Sequence, residues 1–127
     1  MGNFVRPETD TIALTNGQSI TVRRKLNAGE RRAMFGRMYY PDTVRVDPMR
    51  VQLATMTAYL LDWTLKDDDG RLVPIAELPL DQLTPILDLL EPARFAEIST
   101  AIDTHAERLE LGTDEKKDAG AIASSAI

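Results

Sequence analysis

The chain has 127 residues, of which 43% are hydrophobic, 28% charged and 6% aromatic, and it carries a formal net charge of −5. That is enough chain for one domain with a real core, and it excludes two large domains as well as disordered, collagenous or coiled-coil compositions. With no cysteine and a single histidine, His105, disulfides, thiolate metal sites and a cysteine nucleophile are excluded.

Thr11-Ile-Ala-Leu-Thr15 and Ser19-Ile-Thr-Val-Arg23 alternate apolar with polar or small residues around Asn16-Gly17. The pattern predicts a β-hairpin over 11–24 with a type I′ turn, because both central residues of that turn need positive φ. Ile12, Leu14, Ile20 and Val22 are expected to share one face, which helices must cover since an isolated hairpin is marginal in water.

Asn27 followed by Glu30 predicts a capped helix start and a helix over 28–38. Met34, Phe35 and Met38 form its apolar stripe, Arg31 falls on the same stripe, and Pro41 stops the helix soon after Tyr39-Tyr40. Asp47-Pro48 is a second start, with Asp47 as cap and Pro48 at the first helical position. Met49, Leu53, Met56, Leu60 and Trp63 follow at steps of four, three, four and three, predicting a central helix over 48–65.

Lys66-Asp67-Asp68-Asp69-Gly70 reads as a solvated turn. Setting Gly70 at position six of a calcium loop puts Leu65 at position one and Ala76 at position twelve, where oxygen ligands are required. Arg71–Ile75 is expected to be extended, with Pro74 and Pro79 barring a long helix. Thr84-Pro85 and Glu91-Pro92 predict helix starts for helices over 85–90 and 92–111. Phe95, Ile98, Ile102, His105 and Leu109 make the buried stripe of the last one, and His105 is expected as a hydrogen-bonded core or boundary residue. From Gly112 the apolar pattern is lost, so residues 1–111 read as one globular domain and 112–127 as a flexible tail. The fold class expected is α+β, mainly α, with an N-terminal hairpin packed on a small bundle of about four helices.

Phosphate-binding loops, dinucleotide fingerprints, HExxH and GxSxG are all absent from the sequence. His105 has no Ser, Cys or second His at catalytic spacing, so catalytic, cofactor-binding and metal-ligating residues are each expected to be none, and the protein is expected not to be an enzyme. No apolar run reaches the roughly 18 residues of a membrane helix, and no signal-peptide core follows Met1–Val5, giving an expectation of cytoplasmic origin and no membrane partner.

Charge is divided along the chain. Residues 1–50 hold nine Lys/Arg against five Asp/Glu, while 51–127 hold six against fifteen. Such asymmetry suits copies that meet head to tail, basic face on acidic face, or else nucleic-acid contact by the basic half. Assembly is favoured, because phosphate-backbone binding needs clustered cations without competing carboxylates. Arg23, Arg24, Arg31 and Arg32 are the candidate partner-binding residues. A helix-turn-helix is disfavoured by the Pro41–Asp47 connection, longer than that motif's turn.

The order of these elements resembles a family. The hairpin, Leu26-Asn27-Ala28-Gly29-Glu30-Arg31, Tyr59-Leu60-Leu61-Asp62-Trp63, Asp67-Asp68-Asp69-Gly70-Arg71, Val73-Pro74-Ile75 and Ile102-Asp103-Thr104-His105 together look like the tail assembly chaperones of long-tailed bacteriophages and prophages. The resemblance covers about residues 10–110 and rests on order and chain size, since each motif is turn or helix-start chemistry. It implies a non-enzymatic protein of the bacterial host cytoplasm, absent from the mature virion, that coats and solubilises the tape measure protein and recruits major tail tube subunits. It also implies a short and a long product related by a −1 frameshift, for which Glu115-Lys116-Lys117 would encode a slippery heptamer; a plain solubilising charge run is the other reading of those residues. A structural head–tail connector or adaptor, and a small regulatory nucleic-acid-binding protein, are the alternatives.

Overall fold

The computed structural model describes residues 2–39 and 47–117, with side chains through residue 109. Among them the elements run β1 (Thr9–Ala13), β2 (Ser19–Arg23), α1 (Ala28–Met38), α2 (Pro48–Tyr59), β3 (Leu60–Trp63), α3 (Leu80–Asp88) and α4 (Pro92–Lys117). The strands form one antiparallel sheet in the order β1-β2-β3, so the fold is α+β and mainly α. None of the described helices is long and apolar enough to cross a membrane.

The hairpin forms where its alternation predicts, and Asn16 and Gly17 take positive φ values of 60° and 72°. Its loop, however, has three residues, Thr15–Gly17, closed by the Leu14 N–H donating to the Gln18 carbonyl at 2.7 Å. The extra residue decides which face is buried. A two-residue loop would set Ile12 opposite Thr21, whereas the observed register sets it opposite Ile20 and brings Ile12, Ile20 and Val22 to one side. Ile20 and Val22 are fully buried, and Ile12 and Leu14 pack against them.

Helix α1 spans the predicted residues and is closed by the expected reciprocal cap, with Glu30 N donating to Asn27 Oδ1 at 2.8 Å and Asn27 N to Glu30 Oε1 at 3.0 Å. Its stripe is narrower than expected. Met34 and Met38, one turn apart, face the core, but Phe35 is 41% exposed. Phe35 instead shares the outer row with Arg31, whose guanidinium lies 5.6 Å over its ring. The residues expected to end this helix, Tyr40 and Pro41, lie outside the described residues.

Helix α2 starts as predicted, Asp47 Oδ1 accepting from Met49 N at 2.9 Å. It ends at Tyr59 rather than 65, and Leu60–Trp63 forms the third strand, paired with β2. The correction has a specific cause. Ile20 pairs with Trp63, Thr21 with Asp62 and Val22 with Leu60, so the ladder skips a residue at Leu61 and is bulged there. A bulge turns both Leu60 and Trp63 inward, at 5% and 4% exposure, although residues three apart on a regular strand face opposite sides. Their spacing therefore imitates a helix. Met49, the other end of the expected stripe, is 67% exposed and lies outside the core.

Lys66–Gly70 is a turn as expected. Asp67 Oδ1 accepts from the Asp69 and Arg71 amides at 2.9 and 3.0 Å, and the Arg71–Ile75 arm returns extended so that Trp63 Nε1 donates to the Val73 carbonyl at 2.7 Å. Helix α3 begins at Leu80, five residues before the predicted start, and contains Pro85 in its interior. The proline removes one backbone hydrogen bond, a cost of about 3 kcal/mol. Leu83 and Leu87, 5% and 1% exposed on either side of it, offset that cost by burial. Helix α4 starts at Pro92 as predicted and buries Ile98 and Ile102 completely. It continues through Gly112 to Lys117, beyond the predicted end at Leu111, since one helical glycine costs only about 1 kcal/mol in a helix already anchored. The rest of the expected tail, residues 118–127, lies outside the described residues.

Two measurements check this architecture. Asn27→Ala removes the Glu30 amide's acceptor and is expected to lower unfolding free energy by about 1 kcal/mol in urea denaturation. Met56→Ala empties a fully buried position and is expected to cost about 2–5 kcal/mol.

Candidate functional site

Arg23, Arg24, Arg31 and Arg32 do not form one free cationic face. Arg23 is spent inside the protein: its Nε donates to the Ala58 carbonyl at 3.1 Å and its Nη1 lies 3.3 Å from Glu30. Arg24 donates from Nε and Nη2 to Asp10 Oδ1 at 3.1 and 2.8 Å and also faces Glu8 at 3.6 Å. Arg31 lies over Phe35. Arg32 is exposed and does not line the groove that Arg24 and Arg31 border.

His105 is 7% exposed at the same end of the sheet. Its Nε2 lies 3.0 Å from the Arg23 carbonyl, and since a carbonyl can only accept, Nε2 carries the proton. The ring stands edge-on to Tyr59 at 5.8 Å, and Nδ1 is 4.0 Å from Asp10 Oδ2. The histidine is thus a hydrogen-bonded core residue joining α4 to β2, as its position on the stripe predicts.

The four arginines mark the edge of a larger feature. A groove of about 650 Å³ runs between the N-terminal arm, the β2–α1 turn, the end of α2 and α4. Arg6, Arg24, Lys25 and Arg31 line it against one carboxylate, Glu8, over an apolar floor of Leu26, Tyr59 and Leu109. Phe4 stands at its rim, 92% exposed. Arg6 and Lys25 were not among the predicted residues. Arg6 stands alone in the sequence and Lys25 ends the run Arg23-Arg24-Lys25, and only the fold brings residues 6, 25 and 31 together.

A second groove, of about 480 Å³, lies at the other end of the sheet. Trp63, Val73, Ile86 and Leu90 form its floor, and Asp67, Asp68 and Glu91 stand on its rim with Lys66 and Arg94. Arg94 is already engaged, 2.8 Å from Glu97 and donating to the Thr15 carbonyl at 3.2 Å. Leu89, 86% exposed, projects beside this groove. At the end of α1 the Tyr39 carbonyl accepts from Arg50 Nη2 of α2 at 3.1 Å. Phe35 and Tyr39 are 41% and 42% exposed there, while Met49, 67% exposed, borders a separate hollow with Gln52 and Asp103.

Ionisation follows these contacts. The hydrogen bond from Arg24 holds the Asp10 carboxyl below its ordinary value, with burial opposing it in part. The Thr15 amide does the same for Glu97, while burial and then Glu107 push Asp103 up. Among the described residues no group of three or more His, Asp or Glu could hold a metal ion. No protein-family model, curated protein or solved structure matches the chain.

Asp10 ionises more readily folded than unfolded, so its contribution to stability is complete above its ordinary value of 3.8 and fades as pH falls through the lowered one. Asp10→Asn is expected to be less stable than wild type at neutral pH, with the gap closing in strong acid, as read by urea denaturation across pH.

Proposed function

We propose that the protein is a non-enzymatic assembly chaperone. It shields a long, helix-rich client with apolar stripes, the tape measure protein of a long-tailed phage, and recruits tail tube subunits to it in the bacterial cytoplasm. The observation that carries this reading is the exposure of Phe35, Tyr39 and Met49, at 41%, 42% and 67%, around the first two helices of a chain of net charge −5. Exposed apolar side chains suit contact with another apolar surface, and excess charge elsewhere keeps the complex in solution. Further support comes from the two oppositely rimmed grooves, which suit self-association of many copies along one client.

Nucleic-acid binding has weaker support. Glu8 sits inside the cationic groove and Asp10 neutralises Arg24 beside it, whereas a phosphate track needs cations without such competition. On the same reading the chain is the short member of a −1 frameshift pair, diverging after Lys117, and the codons for Glu115-Lys116-Lys117 decide that point.

The test is co-expression with a tape measure fragment that is insoluble alone. Wild type is expected to bring the fragment into the soluble fraction. The triple variant Phe35→Asp, Tyr39→Asp, Met49→Asp is expected to fold, by circular dichroism, but to leave the fragment in the pellet. Equal rescue by the triple variant would remove these three side chains from the account. Stoichiometric recovery of the protein in purified particles would point instead to a head–tail connector.

A further inference from the structure

The two grooves lie at opposite ends of the same rigid elements. Along β2, Gln18 borders the acid-rimmed groove and Arg24 the cationic one, a separation of about 20 Å at the rise of a strand. Along α4, Arg94 borders the acid-rimmed groove and Leu109 the cationic one, about 22 Å apart at the rise of a helix. A single copy therefore cannot bring its own two grooves together.

The two rims differ in balance, with Arg6, Arg24, Lys25 and Arg31 against Glu8 at one end and Asp67, Asp68 and Glu91 against Lys66 and Arg94 at the other. The cationic end presents an aromatic side chain almost wholly in solvent, Phe4 at 92% exposure, flanked by Arg6 and Lys25, which make no ion pair among the described residues. The acid-rimmed end offers an apolar floor and the carboxylates of Asp68 and Glu91, both exposed. Its volume of about 480 Å³ accommodates a benzyl side chain.

We propose that the occupant of the acid-rimmed groove is a second copy of this chain. Phe4 of one copy seats on the Trp63–Leu90 floor of the next, while Arg6 and Lys25 face the neighbour's Asp68 and Glu91. The contact joins different surfaces, and each copy keeps one end open, so association continues as a chain rather than closing as a symmetric dimer. Both members of each charge pair are exposed, so the contact weakens as salt is added. This assigns surfaces to the self-association in the reading above and rests on it.

The test uses full-length variants blocked at one end. Phe4→Asp with Arg6→Glu blocks the cationic end; Asp68→Asn with Glu91→Gln removes the charges of the acidic end, leaves Asp67, which holds its turn, untouched, and gives the two blocked ends no opposite charges that could pair with each other. All four side chains are exposed, so circular dichroism is expected to match wild type. In sedimentation velocity at low salt, wild type is expected to form a concentration-dependent series that collapses with salt. Each blocked variant is expected to associate about tenfold or more weakly. An equimolar mixture of the two is expected to stop at a heterodimer, since only one pair of intact ends remains.

Wild type that stays monomeric at every concentration, blocked variants that associate like wild type, or a mixture that grows beyond two copies would each overturn the proposal. The client assay is read separately. Monomeric wild type that still solubilises the tape measure fragment removes the contact and leaves the chaperone reading intact. Association as described without rescue of the fragment does the reverse.

Discussion

Helix α4 is pinned to the sheet at two points, and the placement of both grooves depends on it. Near its start, Glu97 accepts from the Thr15 amide at 2.8 Å and the Thr15 hydroxyl at 3.1 Å, holding the hairpin tip. Two turns later His105 donates to the Arg23 carbonyl and holds the far end of β2. Between these clamps Ile98 and Ile102 are wholly buried, and Gln52 of α2 donates to the 3%-exposed Ser99 at 2.9 Å. The polar contacts fix direction and register, while the apolar residues supply most of the free energy, about 1.5–3 kcal/mol for each large side chain buried. Because helix and hairpin share both ends, whatever borders their termini is held at a fixed separation.

What the sequence made legible was chemistry that acts within a few residues. The Asn27–Glu30 and Asp47–Pro48 starts, the positive-φ residues of the hairpin loop and the α4 stripe all depend on local steric or hydrogen-bonding rules, and all are found. The misreadings have one origin, a pattern that two structures satisfy. Leu60 and Trp63 are three residues apart, a helical interval, yet a bulge at Leu61 buries both from a strand. Pro85 looks like a helix start, yet burial of Leu83 and Leu87 sustains a helix across it. In each case tertiary packing outweighs the local signal, and no window of sequence contains the partner that decides it.

The charge division was legible only as a count. Summed by halves, the chain looks basic then acidic, and the arginine pairs 23–24 and 31–32 look like its cationic face. Folding moves the effective charge elsewhere. Arg23 and Arg24 lie beside Glu30, Asp10 and Glu8 of their own half, and those ion pairs leave little field for a partner. Arg6, alone in the sequence, and Lys25, next to the arginine pair 23–24, then carry much of the cationic character of the groove. An ion pair at the surface is individually weak, but where a cation is already paired its field largely cancels, so position matters more than number.

These constraints keep the two grooves apart, about 22 Å along α4 at the rise of a helix. Phe35, Tyr39 and Met49 line neither groove. Association through the grooves would therefore leave those side chains to repeat once per copy, and a repeated array of weak apolar contacts suits a long client better than one tight site. Each copy need bind only weakly, because neighbours joined through their ends raise one another's effective concentration at the client. The same arrangement favours release. Contacts that are individually weak can be displaced one copy at a time, whereas a single deep pocket of equal total strength would have to open at once.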